Sequence, residues 1–440
     1  LKQVVPNTEV RTVVVSSISD FFPFFLRMLI AAKLRLSGQV PKLGLPTTSL
    51  SSALRQGMVQ LAKARFVSDK GTKATGREDL ALLQYTGGTT GASKGAMLTH
   101  GNLLANVGQI SEITKNSLDH GQETVLTVLP LYHVFAFTIN LLFGFHSGAH
   151  NVLVPNPRPM KNVRPAFRAH EVTWTTGVNT LLKALLAERW FKKSPPKSLR
   201  ALYSGGTPTQ PAVLQAWEQT VGGVVIEGYG LSEASPLVTF NPATRDTAGV
   251  LRRTHSRVGG AGLPLPGTDM RIAAEDGKAL APGERGEITV RGPQVMKGYW
   301  NQPQETERVL RDGWLRTGDI GCLDESGYLE ITDRKKDMII VSGFKVFPNE
   351  VEACIALHPD VADVAVVGVP DEGTGEAVRA FVVPKSPNQK LTAEDIRAHC
   401  RELLVNYKIP RSVSFVMEMP KNSVGKVLRR ELRGRAGAET

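Results

Sequence analysis

The sequence predicts an α/β protein with a large N-terminal part of mainly parallel, helix-covered sheets, a small β segment and a small α+β C-terminal domain. Three observations predict this fold class. Up to about residue 257, short apolar runs alternate with segments of helical periodicity, the pattern of a parallel sheet covered on both faces. Short strands around Asp-Gly and Pro-Gly turns follow. Beyond residue 333, two strands precede a capped helix.

The elements of the N-terminal part follow one another in the order expected for such a sheet. The run LALLQYT is predicted to be a short buried strand leading into a glycine loop, and HGNLLANVGQISEIT has helical spacing. Helices are also predicted for FAFTINLLFGF and NTLLKALLAERW, and strands for ETVLTVLPLYH, NVLVP, VTWTTGV, LRALYSGGTP and GGVVIEGYGLSE. Ligands of such sheets bind at the carboxyl ends of the strands, where these glycine turns lie.

The remaining elements belong to the β segment and the C-terminal domain. GTDMRIAAEDGKALAPGERGEITVRGP predicts antiparallel strands, and VADVAVVGVPD and VRAFVVP predict two more strands. LTAEDIRAHCRELL predicts a helix with a Thr392/Asp395 capping box and a Leu391/Ile396 hydrophobic staple. The terminal RGRAGAET is expected to fray.

Composition and charge restrict the function. The 440 residues are 41% hydrophobic and 21% charged, typical of a globular chain of two or three domains. The 53 Lys and Arg exceed the 41 Asp and Glu, a net charge of +12 that favours nucleotides or acidic lipids as partners. Nucleic acid is disfavoured, because RNP-like segments, zinc-finger spacing and long basic runs are missing. Cys322, Cys354 and Cys400 lie far apart, which favours a reducing, cytoplasmic compartment.

The most apolar stretch, DFFPFFLRMLIAAKLRL, has two open interpretations. It is too short to span a membrane, Arg27 interrupts it, and Asp20 can cap a helix there. Four cations and no acid lie in residues 21–42: Arg27, Lys33, Arg35 and Lys42. They suit the anionic inner face of a membrane, whereas their scatter around the helical wheel fits a core helix equally well. The chain starts at a leucine without a visible secretory leader, and a natural N-terminal part is expected to be missing.

The stretch YTGGTTGASKGAMLTH is rich in glycine and threonine and holds one lysine, a composition suited to binding phosphate oxygens. It is not the common nucleotide loop, which has glycine before the lysine and Ser or Thr after it. Here Ser93 precedes Lys94 and Gly95 follows it. A simple linker fits badly between a predicted buried strand and a helix, which favours a phosphate loop of another lineage.

This loop resembles that of the adenylate-forming enzymes, the family of acyl-CoA synthetases, luciferases and peptide-synthetase adenylation domains. Five further segments resemble the remaining motifs of that family, in the same order: SGGTP (204–208), EGYGLSEASP (227–236), WLRTGDIG (314–321), DRKKDMIIVSGFKVFPNEVE (333–352) and PKNSVGKVLRREL (420–432). Among the branches, YTGGTTG, LPLYHVFAFTIN and TTGVNTLLKALL are most similar to the bacterial long-chain fatty acid–CoA ligases. The resemblance covers nearly the whole chain.

The resemblance implies ATP, Mg²⁺ and coenzyme A as ligands and assigns residues to the nucleotide. The triphosphate would be held by Thr86, Gly87, Gly88, Thr89, Thr90, Gly91 and Lys94. Adenine would be held by Gly205, Gly206, Glu227, Gly228 and Tyr229, with core packing as the alternative for Tyr229. Asp319 and Arg334 would bind the ribose, and Gly343 would lie near coenzyme A.

The resemblance also implies catalytic residues and a domain movement. Glu233 would bind Mg²⁺ and Ser232 would donate to the α-phosphate. Lys426 would reach the substrate carboxylate and the α-phosphate, and His133 would separate the nucleotide from the acyl tunnel. The implied domains are residues 1–332, which bind ATP and the acyl group, and a mobile domain 333–440 with its hinge at Asp333.

The implied function is conversion of a long-chain fatty acid to an acyl-adenylate and then to acyl-CoA. No acid lies between Glu123 and Glu171, so an amino-acid substrate would lack a partner for its amine. Candidate pocket residues are apolar instead: Phe135, Phe137, Leu141, Leu142, Phe143 and Trp174. A medium-chain or aryl acid–CoA ligase, a fatty acyl-AMP ligase and a non-catalytic membrane-bound nucleotide-binding protein remain as alternatives. The short Asp319–Asp333 spacing disfavours the acyl-AMP ligase, and the presence of Glu233 and Lys426 disfavours the non-catalytic protein.

Overall fold

The structure is a computed structural model that describes residues 2–41, 43–63, 74–86, 93–207, 209–253, 260–386, 391–422 and 425–438. The chain divides into two compact units, Leu1–Thr75 and Gly76–Thr440. In the first unit, strand Val14–Val15 pairs in parallel with strand Thr48–Ser49. Its helical segments are Val5–Asn7, Ile18–Phe21, Phe24–Leu36 and Leu50–Lys63.

The apolar stretch of the first unit forms the helix Phe24–Leu36. The sequence suggested that Asp20 caps this helix, but it does not. Asp20 instead forms a capping box with Ser17 at the preceding helical turn, and it pairs with Arg27 at 3.1 Å. None of the thirteen residues of the helix is buried, and Phe25 is 81% exposed. Of the two interpretations of this stretch, the core helix is therefore not supported, because the helix is not packed in a core. Among the described residues, no helix is long and apolar enough to cross a membrane.

The second unit is built around a seven-stranded sheet. Its strands, in spatial order, are Leu263–Pro264, Leu237–Phe240, Val224–Gly230, Ala201–Ser204, Trp174–Gly177, Thr124–Thr127 and His150–Leu153. The last five strands pair in parallel. Leu237–Phe240 pairs antiparallel with both of its neighbours, Val224–Gly230 and Leu263–Pro264. The predicted fold class, a mainly parallel sheet in an α/β protein, is confirmed.

Helices cover both faces of this sheet because successive strand residues point to opposite sides. Leu202 belongs to the core cluster that contains Trp217, whereas its neighbour Tyr203 belongs to the cluster with Val107 and Phe143. The helical segments around the sheet are His100–Thr114, Val134–Ala136, the π-helical Phe137–Phe143, Gly144–His146, Met160–Asn162, Arg164–Ala169, Asn179–Ala187, Arg189–Lys193, Pro211–Val221 and Ser232–Ala234.

A strand, rather than a helix, is the first described element after the glycine loop. Strand Leu80–Thr86 pairs antiparallel with strand Lys94–Thr99, which leads directly into the helix His100–Thr114. The first strand was predicted to be buried, but its residues are exposed or half-buried. The second strand was not predicted, and it places Lys94 opposite Thr86.

The predicted β segment forms a second, antiparallel sheet. Its strands are Asp269–Ala273, Gly286–Arg291, Leu310–Arg311, Trp314–Leu323 and Leu329–Arg334. The helix Pro303–Val309 precedes Leu310–Arg311, and a separate hairpin joins Ala243–Arg245 to Leu251–Arg253. This sheet ends at Arg334, directly beside the predicted hinge.

The C-terminal part is an α+β arrangement with its own core. Its strands are Ile339–Val341, Phe344–Val346, Val361–Asp371, Gly375–Pro384 and Ser412–Phe415, and its helical segments are Lys335–Asp337, Pro348–Ala356, Ala393–Leu403, Asn406–Lys408 and Arg429–Ala438. The Thr392/Asp395 capping box is confirmed. The tail predicted to fray is helical to Ala438, because Leu432 is fully buried and Arg433 pairs with Asp337 at 2.9 Å.

Candidate active site

A cavity of about 1150 Å³ lies in the second unit, at the carboxyl ends of the parallel strands Ala201–Ser204 and Val224–Gly230. Predicted site residues from six segments line it: Thr86, Lys94, His133, Gly205, Gly206, Gly228, Ser232, Glu233, Arg334 and Lys426. Four others do not line it: Glu227, Tyr229, Asp319 and Gly343. The predicted loop residues Gly87, Gly88, Thr89, Thr90 and Gly91 lie outside the described residues.

Tyr229 and Asp319 form a buried pair behind the cavity wall. The Tyr229 hydroxyl donates to Asp319 Oδ2 at 2.6 Å, and Arg334 Nε lies 3.0 Å from Asp319 Oδ1. Burial, followed by the charge of Asp319, raises the pKa of Tyr229 well above its ordinary value. Tyr229 therefore packs in the core, as the alternative had it, and stacking on adenine stays a prediction. Both oxygens of Asp319 have partners here, so ribose binding also stays a prediction.

The glycine turns bring backbone close to the cavity. A Cβ on Gly205 would lie 3.3 Å from the carbonyl oxygen of Gly228, a tight contact that a glycine at residue 205 avoids. Glu227 Oε1 accepts from the Thr209 amide at 3.0 Å and supports the same turns. Gly343, with φ of +84°, occupies the turn between strands Ile339–Val341 and Phe344–Val346.

Lys94 is paired with a carboxylate that the sequence did not indicate. Its ammonium contacts Glu305 and lies 5.3 Å from the centre of the Tyr299 ring. The hydrogen bond from Lys94 holds the pKa of Glu305 below its ordinary value. The ammonium has three N–H donors, so a polyphosphate that binds Lys94 would share it with Glu305 or displace that carboxylate.

Glu233 meets the requirements of a magnesium ligand in the presence of a nucleotide. It lines the cavity, and the Tyr299 hydroxyl donates to its Oε1 at 2.7 Å, which orients the carboxylate. Within the described residues, no group of three or more His, Cys, Asp or Glu could hold a metal ion. Mg²⁺ is typically held by one or two carboxylates together with substrate phosphates, so Glu233 alone would suffice as its protein carboxylate.

His133 and Lys426 line the cavity as two partly buried bases. His133 Nδ1 accepts from the Phe135 amide at 3.3 Å, so in the neutral ring Nε2 carries the proton and can donate. Burial, and then the charge of Lys426, lowers the pKa of His133. Burial, and then the charge of Arg334, lowers the pKa of Lys426 to about 8. At neutral pH, Lys426 is therefore a cation next to a neutral imidazole.

The polar part of the cavity is strongly cationic. Eight Lys and Arg side chains line it against three Glu, so an anion of high charge is favoured there: Lys94, Arg308, Arg311, Arg316, Arg334, Lys335, Lys336 and Lys426. Five of these were not predicted, because they stand outside the assigned motif positions. Glu287 was also missed: it accepts from Arg316 at 2.5 Å and from Lys335 at 3.2 Å.

The same cavity is also lined by apolar side chains. They include Leu129, Phe135, Ile139, Val178, Tyr203, Leu237 and Phe240. Of the predicted pocket residues only Phe135 is among them. Phe143 and Trp174 are fully buried in the core, Phe137 and Leu142 pack against core clusters, and Leu141 is partly exposed. The three cavity acids, Glu233, Glu287 and Glu305, all come from outside the acid-free stretch.

Comparison with known proteins defines the family. A model of the AMP-binding enzymes matches residues 2–300, and a model of the AMP-binding enzyme C-terminal domain matches residues 350–426. The chain belongs to the AMP-binding enzymes. The resemblance inferred from the loop and its five companion motifs is confirmed.

Within this family the chain is similar to ligases of known name. It is 44% identical to a long-chain-fatty-acid–CoA ligase of Escherichia coli O157:H7, over 99% of this chain and 75% of that protein. Its fold matches ATP-bound MatB from Rhodopseudomonas palustris with a TM-score of 0.79, 31% identity and coverage of 98% of this chain and 80% of that one. It also matches MenE from Bacillus subtilis in complex with ATP and a magnesium ion, with a TM-score of 0.71, 28% identity and coverage of 95% and 78%.

Proposed function

We propose that the chain is an AMP-forming ligase that activates a long-chain fatty acid with ATP and transfers the acyl group to coenzyme A. The observation that carries this proposal is one cavity lined both by eight cationic side chains and by apolar ones, with His133 and Lys426 in its lining. We take the cationic side chains to form a chamber and the apolar side chains to form a pocket. The chamber suits a triphosphate and the pocket suits an alkyl chain. The substrate carboxylate then lies between them.

In the first half-reaction, the carboxylate attacks the α-phosphorus of ATP and pyrophosphate leaves. Negative charge builds up on the α-phosphate oxygens, and preorganised cations stabilise it. Lys426 supplies a positive charge there, Ser232 donates a hydrogen bond, and Lys94 with the loop holds the leaving phosphates. The Nε2–H of His133 is free to orient the carboxylate. Mg²⁺ on Glu233 would neutralise phosphate charge.

In the second half-reaction, the thiolate of coenzyme A attacks the acyl carbon of the adenylate, and AMP leaves. Lys426 serves the first step, so a different arrangement of residues 333–440 serves the second. Asp333, at the end of strand Leu329–Arg334, is the hinge between domains 1–332 and 333–440. Gly343, on a turn of the C-terminal part, then approaches coenzyme A.

A substrate panel tests the proposed acid. The second-order rate constant of acyl-CoA formation is measured with hexanoate, palmitate, cinnamate and leucine. Palmitate should react fastest, and leucine more slowly by about 100-fold or more, because its ammonium would be buried without a partner. A maximum with cinnamate would favour an aryl acid–CoA ligase, and rapid turnover of leucine would contradict the apolar pocket.

We also propose that the enzyme is cytoplasmic and touches the anionic inner face of a membrane through the helix Phe24–Leu36. Long-chain fatty acids partition into bilayers, so an enzyme that consumes them benefits from contact with that surface. The exposed side chains of Phe24, Phe25 and Leu29 support this. Lys33 and Arg35 are the cations of the last turn and would face acidic headgroups.

A further inference from the structure

A partly buried ionic cluster lies outside the cavity, in the C-terminal part. Its six members, named here the anchor cluster, are Asp333, Asp337, Asn349, Glu352, Arg429 and Arg433. They come from four elements: the end of a sheet strand, a short helical turn, the helix Pro348–Ala356 and the helix Arg429–Ala438. The function proposed above uses only Asp333, as a hinge.

Arg429 makes most of the contacts in the anchor cluster. Its Nη2 donates to Glu352 Oε1 at 2.7 Å and to Asn349 Oδ1 at 2.8 Å. Its Nη1 lies 3.5 Å from Asp337 Oδ2 and 4.0 Å from Asp333 Oδ1. The side chain of Arg429 is only 15% exposed, and that of Asp333 is fully buried. One guanidinium thus joins the first turn of the last helix to the predicted hinge residue and to residues that follow it.

The hinge side of the anchor cluster is held by backbone amides. Asp333 Oδ2 accepts from the Asn349 amide and Oδ1 from the Arg334 amide, both at 2.7 Å. Arg334 in turn pairs with Asp319 at 3.0 Å. A continuous set of contacts therefore runs from Arg429 to the residues behind the cavity wall.

Lys426 precedes Arg429 by three residues, at the end of a short hairpin. The Leu428 amide donates to Pro420 O at 2.8 Å, and the Asn422 amide donates to Lys426 O at 2.9 Å. A Cβ on Gly425 would lie 2.4 Å from Thr180 Oγ1, so the hairpin rests closely on the helix Asn179–Ala187. Three residues span at most about 11 Å, so the placement of Arg429 limits where Lys426 can lie.

We infer that Arg429 is a positioning residue that holds the base of the hairpin so that Lys426 enters the cavity. It does not line the cavity, and it acts by fixing the helix start to Glu352, Asn349 and the hinge aspartate. This inference rests on the role proposed for Lys426. Its effect should be confined to the half-reaction that uses Lys426.

The test compares Arg429→Gln, Lys426→Ala and the double variant in the two half-reactions. Adenylate formation is measured by acid-dependent exchange of pyrophosphate into ATP, and thioester formation by adding purified acyl-adenylate and coenzyme A. Arg429→Gln should lower the adenylation rate by about 10- to 100-fold, as misplacing a catalytic group by about 1 Å does. Thioester formation should change by less than about threefold, and in the Lys426→Ala background the same substitution should cost less than about threefold.

Arg430→Gln is the matched control, because Arg430 is exposed on the same helix and its loss removes the same charge. It should leave both half-reactions unchanged. The inference would be overturned if Arg429→Gln slowed both half-reactions equally. It would also be overturned if Arg429→Gln slowed adenylation in the Lys426→Ala background as much as it does in the wild-type enzyme. If Lys426→Ala itself keeps adenylation, the proposed role of Lys426 fails, whatever Arg429 does.

Arg429→Gln leaves three carboxylates facing one arginine, so this variant could fail to fold. A second variant keeps the inference testable in that case. Glu352→Gln with Arg429→Gln removes both members of the 2.7 Å pair together. This charge-balanced variant should fold and show the same confinement to adenylation. A folded double variant with normal adenylation would overturn the inference.

Discussion

Lys426 is a partly buried cation whose charge is needed only when substrates are present. The interior penalises its charge, and the nearby guanidinium of Arg334 penalises it further, which lowers its pKa to about 8. Bound phosphates would favour the charged form and raise the pKa again. The lysine is therefore poised to lose its proton in the free enzyme but not in the complex with ATP.

The lowered pKa of Lys426 predicts a pH dependence for adenylate formation. The protonated form is the active one, so kcat/KM, which reports the free enzyme, should fall by about tenfold per pH unit above about pH 8. The fall in kcat should begin at higher pH. Lys426→Arg should lose the alkaline fall, because arginine stays charged. An unchanged fall in Lys426→Arg would assign it to another group.

Single residues also show where the sequence was insufficient. The motif of Tyr229 suggested contact with adenine, which stays a prediction, but it gave no sign of the hydrogen bond from Tyr229 to Asp319. The pairing of Lys94 with Glu305 joins residues 211 positions apart, and local pattern contains no sign of it. Motif positions could be predicted because the chemistry fixes residue type and spacing. Partners such as Glu305, Tyr299 and Glu287 depend on the tertiary fold.

At the scale of elements, packing does not explain the apolar side chains of the helix Phe24–Leu36, because none of its residues is buried. Its apolar side chains are exposed, with Phe24 at 68%. Arg27 is already paired with Asp20, so Lys33 and Arg35 are its cations available to an anionic surface.

Vesicle binding tests that helix. The enzyme should co-sediment with vesicles rich in phosphatidylglycerol, and salt should weaken the binding. Each cation near the surface contributes on the order of 1 kcal/mol, so Lys33→Gln with Arg35→Gln should weaken binding by about tenfold or more. Phe24→Ser with Phe25→Ser should weaken it too, without lowering the melting temperature. Leu54→Ser, exposed on the neighbouring helix of the same unit, is the control; equal binding by all variants would reject the membrane contact.

Elements with a strong period or cap were predictable. The helix His100–Thr114 coincides with its predicted segment, and the Thr392/Asp395 capping box is present. The strand Lys94–Thr99 was missed because the loop was expected to lead directly into a helix. The last helix was missed because its charged, glycine-containing sequence has weak helical signal, whereas burial of Leu432 stabilises it.

At the scale of the molecule, the site depends on the sheet bringing distant segments together. Gly205 follows strand Ala201–Ser204, and Gly228 lies near the end of the adjacent parallel strand Val224–Gly230. The strand Lys94–Thr99 and the C-terminal hairpin supply Lys94 and Lys426. The sequence predicted the turns and the lysines, because each lies in a motif. It could not predict which apolar side chains line the pocket, because core and pocket use the same residue types. Only Phe135 of the predicted set lines it.

The timing of pyrophosphate release tests the central claim, an acyl-adenylate made before coenzyme A is used. The enzyme is mixed with ATP and palmitate, pyrophosphate is followed, and coenzyme A is added later. A burst of about one pyrophosphate per site should come first, followed by steady turnover to equal amounts of AMP and palmitoyl-CoA once coenzyme A is present. Release of ADP and phosphate, or of no pyrophosphate until coenzyme A is added, would contradict the account.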